Sequence, residues 1–183
     1  DGAAEPIDLR QTTGDLVILS AADSELASLA RAYDAVGGNG VPTLRLANLL
    51  HLQHPYAVDL YIEKTLANAK LVILRLLGGR SYWPYGLDQI VAAARSHGIK
   101  LVVLPGDAHA DAELTAYSTV PPPLCERLRQ YLVAGGELNA QNALKLAFSF
   151  LGHGSEPPPA EVLPSTGLYR TVEGRGHVGI LFY

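Results

Sequence analysis

The chain has 183 residues, 48% of them hydrophobic and 17% charged, with a formal net charge of -4. That length and apolar content suffice for one domain with a real core, and the absence of a basic stripe argues against a nucleic-acid partner. No apolar run approaches the roughly 18 residues a membrane helix needs, and one cysteine, Cys125, excludes an internal disulfide and fits a reducing cytosol.

In chain order, the N-terminal DGAAEPIDLRQ lacks the basic-then-apolar pattern of a signal peptide. Asp15–Ser20 (DLVILS) is a short β-branched apolar run behind a glycine, the pattern of a buried parallel strand. Asp23 or Ser24 then suits a helix N-cap, with Leu26, Leu29, Ala30 and Tyr33 following at helical spacing. Gly37-Gly38-Asn39-Gly40 breaks that helix. Thr43–Leu52, with Leu44, Leu46, Leu49 and Leu50, suits a strand or a helix and is read as a strand passing into a helix, closed by His54-Pro55, and Asp59 caps a second crossover helix carrying Leu60, Ile62, Leu66 and Ala69.

Leu71–Leu77 (LVILRLL) is the second clear strand and ends at Gly78-Gly79. An aromatic loop leads to a helix over Leu87–His97 closed by Gly98, and Ile99–Leu104 is a third strand turned by Pro105-Gly106-Asp107. Pro121-Pro122-Pro123 opens a helix from about Leu124 to Val133, Gly135-Gly136 ends it, and Asn139 opens another to about Leu151. Strands and helices alternating at this spacing predict a parallel α/β fold, flavodoxin-like or Rossmann-like, with a helical segment near the C-terminus. The expected organisation is an α/β module over residues 1–151, a Pro-rich linker over 152–170 and the start of a following domain over 171–183, where HVGILFY reads as a strand. The chain contains no Met, which leads us to expect a trimmed chain or a piece of a longer one. The low charge content fits either a surface covered by something further or a chain rich in small residues.

In an open parallel sheet, ligands bind beyond the carboxyl ends of the strands. Three loops leave there: Ser20–Asp23, Gly78–Tyr85 and Pro105–Asp107. Gly78-Gly79-Arg80-Ser81-Tyr82-Trp83-Pro84-Tyr85-Gly86 concentrates aromatics, glycines and one arginine. Its glycines permit close backbone approach, its rings offer flat faces with polar edges, and Arg75 and Arg80 can each clamp a carboxylate. A large, planar, carboxylate-bearing ligand suits such a loop; the alternative is that Trp83 and the tyrosines pack a helix onto the sheet. Asp23 and Asp107 follow strands and read either as ligand or cation contacts or as a helix cap and a turn residue. Arg75 lies in an apolar strand, where an unpaired charge is costly. Asp23, Asp107 or a ligand acid is its expected partner.

His51 and His54 stand three apart without a third ligand, a weak metal signal; His97 suits a helix C-terminus, and His109, His153 and His177 fall in loops or near the end. No metal site follows from spacing. No phosphate-binding loop, dinucleotide fingerprint or serine-nucleophile elbow is present. A stand-alone receiver-like or nucleotide-binding domain therefore lacks its phosphate loop. Cys125 follows three prolines at a helix start, which can lower a thiol pKa, but no base accompanies it, so it reads as structural.

At these motifs the sequence resembles a known family. GDLVILSAADSELASLARAY, LRLANLLHLQHPYAVDLYIEKTLANAKLVILRLLGGRSYWPYGLDQI, LVVLPGD and YSTVPPPLCERLRQYLVAGGELNAQNALKLAFSFL are similar, in order, to the N-terminal part of the CobN family, the large subunits of aerobic cobaltochelatases. The resemblance implies a relation to the large subunit of magnesium chelatase and a cytoplasmic enzyme of cobalamin biosynthesis. It further implies a subunit that binds hydrogenobyrinic acid a,c-diamide and the incoming cobalt, the metal being a substrate. The implied partners are CobS and CobT motor subunits, which use ATP and Mg, and the rest of the CobN chain. The metal-handling residues of that family are expected outside this chain, so no catalytic residue is assigned here. The stretch TGLYRTVEGRGHVGILFY is shorter than the resemblance leads us to expect.

Overall fold

The computed structural model describes residues 6–38 and 40–162. Four parallel strands, β1 (Leu16–Ser20), β2 (Leu44–Asn48), β3 (Leu71–Leu76) and β4 (Lys100–Pro105), lie in the order β2-β1-β3-β4. All residues of β1 and β3 are buried, as expected for parallel strands covered on both faces. Alternate side chains feed two cores. Val17, Leu19, Leu74 and Val103 face one of them, and Leu16, Ile18, Ile73 and Val102 face the other.

Helix α1 (Asp23–Val36) lies on the second face, while α2 (Pro55–Tyr61) and α3 (Pro84–His97) cover the first. The connection from β1 runs outward to β2 and the next one returns past β1 to β3. The chain therefore reverses direction between β1 and β3, and the loops after these two strands part there. After β4 come a single turn, α4 (Ala112–Thr115), and a hairpin of α5 (Pro122–Ala134) and α6 (Gly136–Phe150) that joins α1 on the second face.

Several local expectations are corrected. The N-cap of α1 is Ala22, with no side-chain bond; Asp23 is already helical, and its buried stripe is Leu29 and Ala32 while Ala30 is exposed. Asp59 does not open a helix. His54 caps α2 by accepting from the Tyr56 N–H at 3.1 Å, with Pro55 as the first helical residue. The helix then widens into a π turn over Ile62–Leu66. Prolines at the first helical positions also start α3 and α5 earlier than the apolar spacing suggests.

Both sheet edges are closed. Ser118 and Thr119 accept from the N–H groups of Val103 and Leu101, each at 2.9 Å, along β4. Beside β2, Gln11 donates to the Leu46 carbonyl and Arg45 to the Thr12 carbonyl. Such blocking prevents strand addition.

The stretch after α6 is strapped to the module as far as residue 162. Arg127 pairs with Glu156 and donates to the Pro157 carbonyl, and the Tyr131 hydroxyl donates to the Pro158 carbonyl. Asn139 brackets the Glu161 backbone, donating to its carbonyl at 2.7 Å and accepting from its N–H at 2.9 Å. Pro157 is buried. The remainder of the 152–170 segment, the strand expected in HVGILFY, His177 and the domain expected over 171–183 lie outside the described residues.

Candidate functional site

The carboxyl end of the sheet carries a row of polar residues. In register, Ser20 of β1 stands between Asn48 of β2 and Arg75 of β3. All three side chains point to the α1 face, because Ile18 and Ile73, two residues earlier, do so. All three are buried, so each needs partners. Ser20 accepts from the Ala22 N–H at 3.1 Å and shapes the turn into α1. Asn48 accepts from the Leu50 N–H at 2.8 Å and donates to Asp23 at 2.6 Å.

Arg75 is 4% exposed. Its partner is Glu25, not Asp23 or Asp107. Nε reaches Glu25 Oε1 at 3.3 Å and Nη2 reaches Oε2 at 2.9 Å, a fork-to-fork pair. The remaining donors meet the carbonyls of Pro105 at 2.8 Å and Gly106 at 3.2 Å. The cause is helical geometry: two residues along α1 rotate Glu25 over β3, whereas Asp23 is left facing Asn48 on β2. Arg75 thus ties the loops after β1 and β4 together across β3.

Asp107 folds back on its own turn, accepting from the His109 N–H at 2.9 Å. The loop from Gly78 to Tyr85 follows β3 at the reversal point. Gly79 has φ 72° and ψ -162°, a conformation open only to glycine, and Gly78 also has positive φ. A short 3-10 turn, Arg80–Tyr82, follows, with the Ser81 hydroxyl donating to the Gly78 carbonyl at 3.4 Å.

Trp83 is 3% exposed and belongs to the core beneath α3. Its indole N–H donates to the Leu52 carbonyl at 2.8 Å, and its ring lies where a Cβ on Gly86 would sit 2.0 Å away. Of the two roles open to this aromatic, the structure assigns packing. Tyr82 is half-buried against the same core. Tyr85 is exposed and donates to Asp59 at 2.8 Å, joining α3 to α2. Arg80 forms a two-pronged pair with Asp88 at 3.1 and 3.2 Å in which both side chains are half exposed.

Arg80 is therefore the exposed cation of the aromatic loop, and Tyr85 is exposed in the first turn of α3. Glu25, Asn48 and Asp88 escaped sequence reasoning, and Asp59 reads from the sequence as a helix cap rather than as the partner of Tyr85. Asp88 stands one turn into α3 from Pro84, and an acid there is a readable partner for a loop arginine; Glu25 carries no comparable signal. An open cavity of about 490 Å³ lies between α1 and the turn joining α5 to α6, with Glu25, Arg31, Tyr131 and Glu137 among its walls.

Burial raises the Cys125 thiol pKa, against a smaller lowering from Ser118. The position at the start of α5 therefore does not activate it. Among the described residues no group of three or more His, Cys, Asp or Glu could hold a metal ion, and no helix is long and apolar enough to cross a membrane. His54 is accounted for by its capping bond.

No family model matches the chain. It is 41% identical over 176 residues to the aerobic cobaltochelatase subunit CobN of a Sinorhizobium species, covering 96% of this chain and 14% of the relative. It is 40% identical over 198 aligned positions to the CobN subunit of Pseudomonas aeruginosa, covering 100% of this chain and 16% of the relative. Among solved structures, the catalytic subunit of cobaltochelatase from Mycobacterium tuberculosis matches with a TM-score of 0.63 at 28% identity, over 88% of this chain and 12% of that one. The chain thus spans about a seventh of the length of the curated relatives it matches.

Proposed function

The chain is homologous along its whole length to part of the CobN subunits of aerobic cobaltochelatase, and from that premise we propose that it serves cobalt insertion into hydrogenobyrinic acid a,c-diamide in cobalamin biosynthesis. The observation that carries this is the identity of 40–41% over 96–100% of the chain. The partners in this reading are CobS- and CobT-type subunits, which hydrolyse ATP with Mg, and the rest of a CobN-length polypeptide, in the cytoplasm. Cobalt is a substrate, and none of the residues described above is given a catalytic or metal-binding role.

Within that enzyme the loop after β3 is proposed to hold the corrinoid by its acidic side chains. Arg80 is the contact residue. Its pair with Asp88 is solvent-exposed and screened by water and salt, so a ligand carboxylate can replace Asp88 at little cost. Gly78 and Gly79 keep the backbone bare beside it, Ser81 and Tyr85 offer hydroxyls, and Tyr82 backs the turn. Arg75, Asp23 and Asp107 support the loops from beneath, and Trp83 fixes the start of α3.

The test is cobalt insertion by a CobN-type subunit carrying this module. Arg80→Ala should raise the KM for the ring while leaving kcat near the parent value, and Arg80→Lys should restore part of the loss. An unchanged KM would move the ring to other domains. The second reading, a module that docks or scaffolds without touching the ring, would then stand; the apolar side chains exposed at this same end of the sheet favour it.

A further inference from the structure

One buried polar side chain lacks what the others have. Ser20, Asn48, Thr65, Arg75 and Asn139 are buried, and each holds at least one hydrogen bond. Asn142 is 3% exposed, and among the described residues its side-chain amide has no partner. Neither amide atom is sealed from open space, and Asn142 lines an open cavity of about 830 Å³. Ligand sites commonly span about 300–1,000 Å³. An amide buried without a partner is costly, whereas an apolar side chain of the same size carries no such cost. The cavity lies between the C-terminal ends of α1 and α6 and the turn at Gly40 and Val41 that precedes β2. This is the amino end of the sheet, opposite the loop after β3.

The surroundings of Asn142 set the chemistry of its partner. Asn139, three residues earlier on α6, shows the bond pattern: its amide donates to the Glu161 carbonyl and accepts from the Glu161 N–H. A second planar amide, offering a carbonyl and an N–H together, satisfies Asn142 in the same way. Lys145 stands one turn further along α6, about 5–6 Å away at the base of the side chain. It is exposed, lines the same cavity and has no ion-pair partner among the described residues. It therefore supplies the charge for one carboxylate. The two helix C-termini that border the cavity disfavour a doubly charged phosphate. Val36 and Phe148 add an apolar wall. An amide, a carboxylate close to it and an apolar side chain are the parts of an acylated α-amino acid. We infer that this cavity binds an acylated apolar amino acid, free or as the carboxyl end of a polypeptide. Asn142 brackets its amide, Lys145 takes its carboxylate, and Val36 and Phe148 receive its side chain. The site goes beyond cobalt insertion and does not depend on the corrinoid contact at Arg80.

Heteronuclear NMR of the isotope-labelled chain tests this with N-acetyl-L-leucine as the probe. The expected result is a saturable shift of the Asn142 side-chain amide and of the Lys145 backbone, with none at Arg80. Isocaproate, which lacks the amide, and N-acetyl-L-leucine amide, which lacks the carboxylate, should each bind about 10-fold more weakly. Asn142→Leu and Lys145→Ala should each weaken binding of the probe by a similar factor. Lys145 is exposed, so its variant keeps the test open should Asn142→Leu not fold. An acetylated tripeptide ending in leucine distinguishes the sources: tighter binding than the probe assigns the site to a polypeptide end, weaker binding to the free acylated amino acid. No saturable shift at Asn142, equal binding of the three small probes, or parent-like affinity in either variant overturns the inference.

Discussion

Replacing Glu25 with alanine strands the Arg75 guanidinium inside the protein. Arg75 is 4% exposed and Glu25 supplies its only carboxylate among the described residues. Breaking a buried pair by removing one partner costs about 3–5 kcal/mol. Arg75 keeps its bonds to the Pro105 and Gly106 carbonyls, so the lower end applies, about 3 kcal/mol. At about 2–4 °C per kcal/mol for a chain of this size, the midpoint of thermal unfolding should fall by about 6–12 °C. The double variant Glu25→Leu with Arg75→Met removes both charges and should recover to within about 1 kcal/mol of the parent, since apolar replacement of a whole buried pair is often neutral. Urea denaturation followed by circular dichroism measures both variants against the parent. A Glu25→Ala variant within about 0.5 kcal/mol of the parent, the range of ordinary surface substitutions, refutes the pairing.

Three further outcomes follow from the same geometry. Gly86→Ala drives a methyl group into the Trp83 ring and should cost about 1–3 kcal/mol as overpacking, with a red-shifted Trp83 emission reporting displacement of the indole. Lys70, and then the Thr43 N–H, hold the Asp15 carboxyl down at about 2 from 3.8. Because the folded pKa is the lower one, this stabilisation is complete above pH 3.8 and is lost as pH falls through about 2. Asp15→Asn should therefore cost about 1 kcal/mol at pH 7, after screening of the exposed Lys70 pair, and its difference from the parent should vanish in acid unfolding curves near pH 2. Asn139→Ala removes both bonds to Glu161 and should cost about 1–3 kcal/mol; limited proteolysis should cut faster between Pro157 and Val162.

β1, β3, β4 and the parallel class were legible because each of these strands holds a β-branched apolar run covered on both faces; β2, LRLAN, has no β-branched residue and suited a strand or a helix alike. Loops and helix starts were harder to read. Pro84 and Pro122 open helices before any apolar periodicity begins, and the one-turn α4 offers too few residues to show a period. Arg75 announced that it needed a partner, since a charge inside LVILRLL cannot stand alone. Its identity depended on the rotation of α1 over the sheet, which spacing does not reveal, and so Glu25 was missed while Asp23 and Asp107 were expected. Trp83 could equally have lined a ligand or packed a helix. Only the absence of a side chain on Gly86, three residues on, decides it, by making room for the indole. The same loop composition was compatible with either outcome.

Whether the loop after β3 touches the corrinoid is decided most directly by calorimetric titration of hydrogenobyrinic acid a,c-diamide into a CobN-length subunit carrying this module, as parent and as Arg80→Ala. Losing a charge-assisted hydrogen bond should weaken saturable binding by about 10-fold in the variant, with no change in its unfolding midpoint. Identical affinity in the two proteins would contradict the contact and place the ring entirely on other domains.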